Sequence, residues 1–188
     1  MLDQAPRNFD EEDKSLLRDL ARMVEIELSA LQLATMDALT SMSNRIGFEA
    51  LAQHALLVCN RLEKPASMLY FDLDDFKQIN DQYGHAEGDR ALTAFSNSLL
   101  EVFRDSDVLG RVGGDEFVVL LTNTNHLEMQ NVLKRLRLQI DQYNAAEKRG
   151  YDIAYSVGGI EYNLNKHQSI AELINDADKL MYVEKKAN

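Results

Sequence analysis

Two short acidic segments contain the residue types from which a catalytic site could be built. In the first segment, Gly113 and Gly114 are followed directly by Asp115 and Glu116, with a β-like run on either side. We expect a hairpin here, whose tight turn uses the positive φ that glycine tolerates. Glycine also lets a ligand approach the main chain closely. The segment therefore predicts two carboxylates beside an accessible stretch of backbone.

The second acidic segment begins with Asp72, directly after the continuous apolar run 68–71. Such a run predicts a strand that is buried on both faces. Asp72 and Asp74 point the same way if the backbone stays extended. A carboxylate at the end of an apolar strand is costly unless a cation or hydrogen bonds compensate for its charge. Together with Asp115 and Glu116, Asp72 would make the oxygen-rich site that Mg²⁺ shares with substrate phosphates.

The alternative is that these acids are solvated loop residues of a very acidic protein. That interpretation is favoured for Asp74 and Asp75 alone, whereas Asp72 with Asp115 favours a metal site. The sequence does not support other chemistries. It lacks the two glycine-rich phosphate-binding motifs, G-x-x-x-x-G-K-[ST] and G-x-G-x-x-G, and it has no G-x-S-x-G turn. Its four histidines do not have metal-ligand spacing. Carboxylates with Mg²⁺ and lysines indicate phosphoryl or nucleotidyl transfer.

Hydrophobic periodicity indicates how these segments are positioned. Helices are predicted over 10–35, 45–62, 76–83, 89–103, 127–147 and 169–185. Strands are predicted over 68–71, 107–112, 117–121 and 153–162, the last being one strand or a pair interrupted by Gly158-Gly159. The Gly-Gly hairpin requires an antiparallel pair. We therefore expect an α/β (α+β) sandwich with a central mixed, largely antiparallel sheet flanked by helices, not a doubly wound parallel sheet.

Residues 36–185 resemble a complete GGDEF domain, the catalytic domain of diguanylate cyclases. The resemblance rests on several motifs in the right order: Asp37–Arg45, Phe71–Lys77 with Asn80, Gly84-His85 and Gly88-Asp89, then Gly113–Phe117, Ser156-Val157-Gly158, and Ala177-Asp178 with Lys185. It covers about four fifths of the chain. It implies a nucleotidyl cyclase fold that condenses two GTP molecules into cyclic di-GMP and two pyrophosphates.

The resemblance assigns catalytic roles to Asp72, Asp115 and Glu116. Asp72 and Asp115 would hold Mg²⁺, or Mn²⁺ in its place, together with the carbonyl of Leu73. Glu116 would lie by the second metal position or the attacking hydroxyl. One domain holds only half of the reacting pair, so the enzyme would work as a homodimer.

The resemblance also implies a substrate-binding set: Phe76, Lys77, Asn80, Asp89, Gly113, Gly114 and Lys185. Asn80 and Asp89 would read the guanine edge, and Lys77 and Lys185 would meet the triphosphate. Alternatives remain from the residues alone. Asn80 could end the short helix, Asp89 could cap the next helix, Lys185 could neutralise a helix C-terminus and Phe76 could belong to the core.

Arg104-x-x-Asp107 resembles the inhibitory product site of the family, where arginine would grip cyclic di-GMP, with Arg111 joining it. From the residues alone, this motif is a charged turn between a helix and a strand. Two departures from the family pattern stand out, the first expected to alter the entry loop and the second to weaken substrate binding. Ser41-Met42-Ser43 replaces the usual Gly-Leu-Pro, and a phosphate-binding arginine expected shortly after Lys185 is missing.

The N-terminal segment 1–35 lies outside the catalytic resemblance, which we assign to 36–188. Residues 6–13 leading into a long helix resemble the closing helix of a GAF sensor domain, so an upstream sensor domain is expected in the full-length protein. Leu17, Val24 and Leu28 belong to an apolar stripe on that helix. The stripe would pair with a second copy as a two-helix connector, or pack back on its own domain.

Composition limits the partners of the chain. Net charge is −11 over 188 residues, which argues against nucleic-acid and anionic-membrane partners but not against a nucleotide. The single cysteine, Cys59, stands in an apolar stretch and is expected to be a buried thiol. With no signal pattern and no long apolar run, a cytoplasmic protein is expected. The alternatives to an enzyme are a catalytically silent GTP or cyclic di-GMP receptor and a dimerisation scaffold.

Overall fold

A computed structural model describes residues 10–187 of the chain. Contacts divide the chain into two units, Met1–Ala34 and Thr35–Asn188. The described residues form these elements: α1 (Glu11–Thr35), α2 (Arg45–Arg61), β1 (Ala66–Leu73), α3 (Phe76–Tyr83), α4 (His85–Val102), β2 (Val108–Arg111), β3 (Glu116–Thr122), α5 (His126–Glu147), β4 (Tyr155–Glu161) and α6 (Ile170–Ala187). Residues 6–9, which contribute to the resemblance to a sensor domain, lie outside the described residues.

The four described strands form one sheet in the order β2-β3-β1-β4, with every neighbouring pair antiparallel. This confirms the predicted α+β architecture. Within residues 10–187, parallel pairing is limited to an isolated bridge between Ser43 and Gly110. The central position of β1 explains its apolar sequence, because residues 66–71 are all buried.

Helices cover both faces of the sheet, and alternate residues of β1 divide between two cores. Leu69 and Phe71 join a cluster formed with α4 and α5. Met68 and Tyr70 join a cluster formed with α2 and α6. By the same alternation, Asp72 faces the side that α2 and α6 cover. The strand that fills both cores therefore also directs the first predicted carboxylate.

In the first unit, Asp10 caps α1. Its carboxylate accepts a hydrogen bond from the Asp13 N–H at 2.8 Å, and its own N–H donates to the Asp13 carboxylate at 3.3 Å. Asp10 is therefore the N-cap of α1. The apolar residues of the helix, among them Leu17, Val24 and Leu28, are exposed. No helix within the described residues has both the length and the apolar character needed to cross a membrane.

Helix α4 begins at His85, four residues earlier than predicted. Gly84, with φ 87°, turns the chain directly from α3 into α4 without a side-chain cap, so the sequence offers no cap signal there. Asp89 consequently lies inside the helix, and its alternative role as an N-cap is wrong. Strand β4 is a single strand that contains Gly158 and Gly159.

The predicted hairpin joins β2 and β3, but its turn differs from the expected one. Neither Gly113 nor Gly114 has φ in the left-handed region, so the prediction of a positive-φ turn is wrong. The connection spans residues 112–115, and it is longer than the two-residue turns that require positive φ. The requirement for glycine at position 113 is one of space, as the site geometry shows.

Candidate active site

The predicted carboxylates come together at one end of the central strand. Asp72 in β1 lies directly opposite Glu116 in β3, so their side chains share one face of the sheet. Asp115 precedes β3, and its carbonyl oxygen accepts a hydrogen bond from the Leu73 N–H at 3.1 Å. The pairing of β1 with β3 therefore brings together the three acids to which the sequence assigns chemistry.

Electrostatics at this strand end favour a cation. Burial and the negative charge of Asp72 raise the pKa of Asp115, while Lys185 and Arg111 oppose that rise. Lys185 supplies one positive charge through an ion pair between its Nζ and Asp72 Oδ1. Burial disfavours the charged form of Lys185, but the bond to Asp72 and the surrounding carboxylates outweigh it and raise the pKa of Lys185.

Close packing of α6 on β4 directs Lys185 toward the strand end. A Cβ built on Gly158 would lie 2.0 Å from the Ala177 carbonyl oxygen and 2.3 Å from the Met181 nitrogen. The helix backbone therefore rests directly on the strand, which only glycine permits at this position. Lys185 follows one turn after Met181, and Ser156 on the same strand lies opposite Asp72. This contact gives a physical reason for the glycine of the Ser156-Val157-Gly158 motif.

Arg111 fixes the turn that carries Asp115. Its Nη1 atom pairs with both carboxylate oxygens of Asp37, at 3.1 and 3.2 Å. Its Nε and Nη2 atoms donate to the Gly114 carbonyl oxygen at 3.2 and 2.6 Å. Burial opposes ionisation of Asp37, but hydrogen bonds from Thr40 and Arg111 prevail and lower the pKa of that carboxyl group. The segment before α2 is thereby tied to the hairpin.

Glu116 is held by a residue that the sequence interpretation missed. The Tyr70 hydroxyl donates to Glu116 Oε1 at 2.9 Å. On the other side, a Cβ built on Gly113 would lie 1.9 Å from Glu116 Oε2. Gly113 is therefore glycine because the Glu116 carboxylate occupies the space that a side chain would need. The signal for Tyr70 was a hydroxyl-bearing residue inside the otherwise apolar run 68–71, two positions before Asp72.

The predicted guanine-reading residues lie where α3 meets α4. Asn80 Nδ2 donates to the Phe76 carbonyl oxygen at 3.3 Å, and Asn80 Oδ1 lies 3.2 Å from His85 Nδ1. A Cβ built on Gly88 would lie 2.2 Å from Asn80 Oδ1. The neighbouring residue Asp89 is exposed and lines a surface cavity of about 580 Å³. The structure thus brings Asn80 against the turn of α4 that contains Asp89.

Two further predicted substrate-binding residues occupy the first turn of α3. Asp75 adopts a left-handed conformation with φ 53°, so the chain turns sharply between β1 and this helix. Lys77 is exposed. Phe76 is partly buried and packs against the core that α4 and α5 form, as its alternative role in the core requires.

The predicted inhibitory motif forms a turn before β2. The Arg104 N–H donates to Asp107 Oδ2 and the Thr122 N–H to Asp107 Oδ1, each at 3.0 Å. Asp107 therefore performs the structural role that a charged turn requires. Arg104 is exposed and lines a surface cavity of about 440 Å³. Within the described residues, the hydrogen bonds of Arg111 reach Asp37 and Gly114 and not this turn.

The donor set at the strand end fits a divalent cation that arrives with a phosphate-bearing ligand. Within residues 10–187, no three Asp, Glu, His or Cys side chains are arranged to hold a metal ion by themselves. Asp72 and Asp115 supply two carboxylates, and burial together with the negative charge of Asp72 raises the pKa of Asp115. Mg²⁺ commonly binds through one or two carboxylates and completes its shell with waters and substrate phosphates.

An antiparallel α+β domain with paired carboxylates and a lysine at the end of its central strand is a nucleotidyl cyclase type of architecture. The profile of the family described as "Diguanylate cyclase, GGDEF domain" matches residues 34–188. The chain therefore belongs to the GGDEF family of diguanylate cyclases, which generally use divalent metal ions.

Named relatives and solved structures agree with this assignment. Diguanylate cyclase DosC of Escherichia coli is 34% identical over 151 residues, which span 80% of this chain and 33% of that protein. A diguanylate cyclase of Vibrio cholerae is 30% identical, over 89% of this chain and 52% of its own length. The active GGEEF domain of a V. cholerae diguanylate cyclase is similar with a TM-score of 0.70 and 30% identity, covering 77% of this chain and 92% of that one.

The coiled coil and GGDEF domain of DgcB from Caulobacter crescentus, solved with c-di-GMP, has the same fold. Its TM-score is 0.83 at 21% identity, with 93% of each chain covered. The present chain spans about a third of the length of DosC and about half of the V. cholerae relative.

Proposed function

We propose that this chain is a diguanylate cyclase domain that condenses two GTP molecules into cyclic di-GMP and two pyrophosphates. The observation that most supports the proposal is the meeting of Asp72 and Asp115 at the end of β1, where Lys185 of α6 pairs with Asp72. Two acids and a partly exposed lysine are suited to a substrate that brings both a cation and phosphates.

In this proposal, Asp72 and Asp115 hold Mg²⁺, or Mn²⁺, with the Leu73 carbonyl oxygen, and Glu116 lies by the second metal position or the attacking hydroxyl. When bound, the ion neutralises charge on the phosphates and orients them. Lys185 leaves Asp72 and pairs with the triphosphate, so its positive charge remains within the site.

The remaining substrate contacts follow the same logic. Asn80 and Asp89 read the guanine edge, since a carboxylate accepts from the N1 and N2 hydrogens of guanine and an amide can donate to the ring. Lys77 meets the triphosphate, and Gly113 and Gly114 leave the main chain of the turn open to it. Phe76 supports the substrate from the first turn of α3.

The reaction requires two protomers that face each other. The 3′-hydroxyl of each GTP attacks the α-phosphorus of the other, a P–O bond forms, and the bond from that phosphorus to the leaving pyrophosphate breaks. Each hydroxyl loses one proton and each step releases one pyrophosphate, so two steps close the ring. We propose that α1 connects two protomers through its exposed apolar stripe, as the output of an upstream sensor domain of GAF type.

We also propose that cyclic di-GMP inhibits the enzyme by binding at Arg104 and Asp107. The exposed Arg104 guanidinium beside a surface cavity supports this role. Arg111, although engaged with Asp37 and Gly114, is assigned to the same site as an additional contact.

The decisive test is to incubate the purified chain with GTP and Mg²⁺ and to detect cyclic di-GMP by mass and chromatography. Asp115→Asn should lower turnover at least about 100-fold, because the metal site loses a charged ligand. Asp141→Asn, at an exposed position on α5, is the matched control and should retain parent activity. Specific activity should also fall on dilution as dimers dissociate. Undiminished turnover by Asp115→Asn would refute the ligand assignment.

A domain that binds GTP or cyclic di-GMP without turnover is the second candidate. The observation in its favour is that Asp72 and Glu116 already have partners within the chain, Lys185 and Tyr70. Nucleotide binding by calorimetry without any cyclic di-GMP product would favour this candidate over the cyclase.

A further inference from the structure

Tyr70 places a buried polar group next to the proposed catalytic carboxylates. It lies in β1 two residues before Asp72, so the two side chains leave the same face of the sheet. Its exposed fraction is only 4%, and its ring packs in the cluster that α2 and α6 form. A buried tyrosine hydroxyl is costly unless it finds a hydrogen-bond partner. That partner is Glu116 Oε1, at 2.9 Å.

The two oxygens of the Glu116 carboxylate have different surroundings. Oε1 accepts the hydrogen bond from Tyr70, and Oε2 fills the space above Gly113, where a built Cβ would lie only 1.9 Å away. The side chain leaves the strand opposite Asp72. A carboxylate with one oxygen bonded to a buried residue has a preferred orientation, and fixed geometry of this kind is what a catalytic group requires.

The donors on the two opposed carboxylates differ in kind. Asp72 pairs with Lys185, whose long side chain is 38% exposed and can swing toward a phosphate. Glu116 accepts its hydrogen bond from the hydroxyl of Tyr70, whose ring is anchored in the core. The phenol hydroxyl is an uncharged donor, so it adds no positive charge that would compete with a bound cation.

We infer that Tyr70 is a positioning residue for the cyclase reaction, which keeps Glu116 in place while Asp72 exchanges Lys185 for the substrate and its cation. This inference rests on the proposed function. The alternative is that the bond to Glu116 only satisfies a buried hydroxyl. That alternative predicts a loss of stability in a variant without the hydroxyl, with no change in turnover.

The test compares Tyr70→Phe with Tyr162→Phe in the full chain. Both changes keep the ring and remove a hydrogen-bonded hydroxyl, since the Tyr162 hydroxyl accepts from Asn60 Nδ2 at 3.3 Å. Tyr162 packs against the same core cluster, but its N–H bonds to Ala66 at the far end of β1. The two variants therefore carry the same substitution at different distances from the carboxylates.

For Tyr70→Phe we expect kcat to fall about tenfold or more, the size of one hydrogen bond to a charged group. The KM for GTP and the dissociation constant of a non-hydrolysable GTP analogue should stay within about twofold of the parent. The reason is that the change disturbs the position of Glu116 in the transition state and leaves the binding of ground-state GTP intact. A crystal structure of Tyr70→Phe should show Glu116 displaced or in several conformers. Tyr162→Phe should retain the parent kcat.

Equal kcat values for the two variants would overturn the inference and leave the proposed function standing. A rise in KM with unchanged kcat would also overturn it, as would a Glu116 carboxylate that stays in place in the Tyr70→Phe crystal. Absence of cyclic di-GMP from the unaltered chain would overturn the proposed function and, with it, this inference.

Discussion

Replacing Gly113 by alanine tests whether the first glycine of the hairpin turn is required for space. The new Cβ would lie 1.9 Å from Glu116 Oε2 and 2.9 Å from its Cδ, both shorter than the 3.4 Å at which ordinary contact begins. The carboxylate must therefore move, and we expect it to give up its 2.9 Å hydrogen bond with Tyr70. Gly114 is the matched control, because nothing lies within 4 Å of its built Cβ. Since neither glycine has a left-handed φ, backbone strain does not separate the two variants.

The expected magnitude follows from these contacts. Loss of a hydrogen bond to a charged group costs about 1.5–3 kcal/mol. Alanine in place of glycine restricts the unfolded chain and stabilises the fold by about 0.4–1 kcal/mol. Gly113→Ala should therefore lose about 1–2 kcal/mol, which lowers Tm by roughly 2–8 °C for a chain of this size. Gly114→Ala should leave Tm unchanged or raise it by up to about 4 °C.

The assay is thermal unfolding of the free proteins, followed by circular dichroism at neutral pH without nucleotide or metal, so that substrate binding contributes nothing. The double variant Gly113→Ala/Tyr70→Phe should lose less than the sum of its single changes, because both remove the same hydrogen bond. Equal Tm values for Gly113→Ala and Gly114→Ala would refute the reasoning. So would strict additivity in the double variant.

Two further predictions concern packing and pH. Gly158→Ala should destabilise the fold by about 3 kcal/mol or more, because its Cβ would lie 2.0 Å from the Ala177 carbonyl oxygen in a helix that cannot easily withdraw. The measurement is the midpoint of unfolding in denaturant, and a midpoint close to that of the parent would contradict the packing. Hydrogen bonds from Lys166 and Lys179 lower the pKa of Asp176 to about 2. The stabilising contribution of Asp176 should therefore be complete above pH of about 4 and disappear as pH falls toward 2. Acid unfolding curves of Asp176→Asn should lack that part of the pH dependence. Curves identical to those of the parent would argue against this role of Asp176.

The sequence was sufficient for the features that depend on local pattern. The apolar run before Asp72 predicted a buried strand, and β1 fills both cores. The Gly-Gly segment predicted the hairpin, which joins β2 and β3 as expected. The acids followed from these two predictions, because carboxylates after an apolar strand need compensation. Local chemistry and family motifs thus identified the strand ends that form the candidate site.

The features that could not be predicted depend on contacts between distant segments or, at the start of α4, on a backbone turn without a capping side chain. Tyr70 read as one apolar residue among several, and only the cross-strand geometry shows its hydroxyl at Glu116, 46 positions away in sequence. The start of α4 was missed because Gly84 supplies a backbone turn instead of a capping side chain. Arg111 carries no sequence signal for its partner, since Asp37 lies 74 positions earlier in the chain. Each of these contacts is set by packing.

Sheet register is the property on which the candidate site depends most. Asp72 faces Glu116 because β1 and β3 pair with Phe71 opposite Phe117. A shift by one residue would turn every β3 side chain to the other face, which would bury Glu116 against α4 and α5 and expel Phe117 from its core. The aromatic contact between Phe95 and Phe117, with ring centroids 5.1 Å apart, opposes such a shift. The core residue that follows Glu116 therefore also fixes where the carboxylate points.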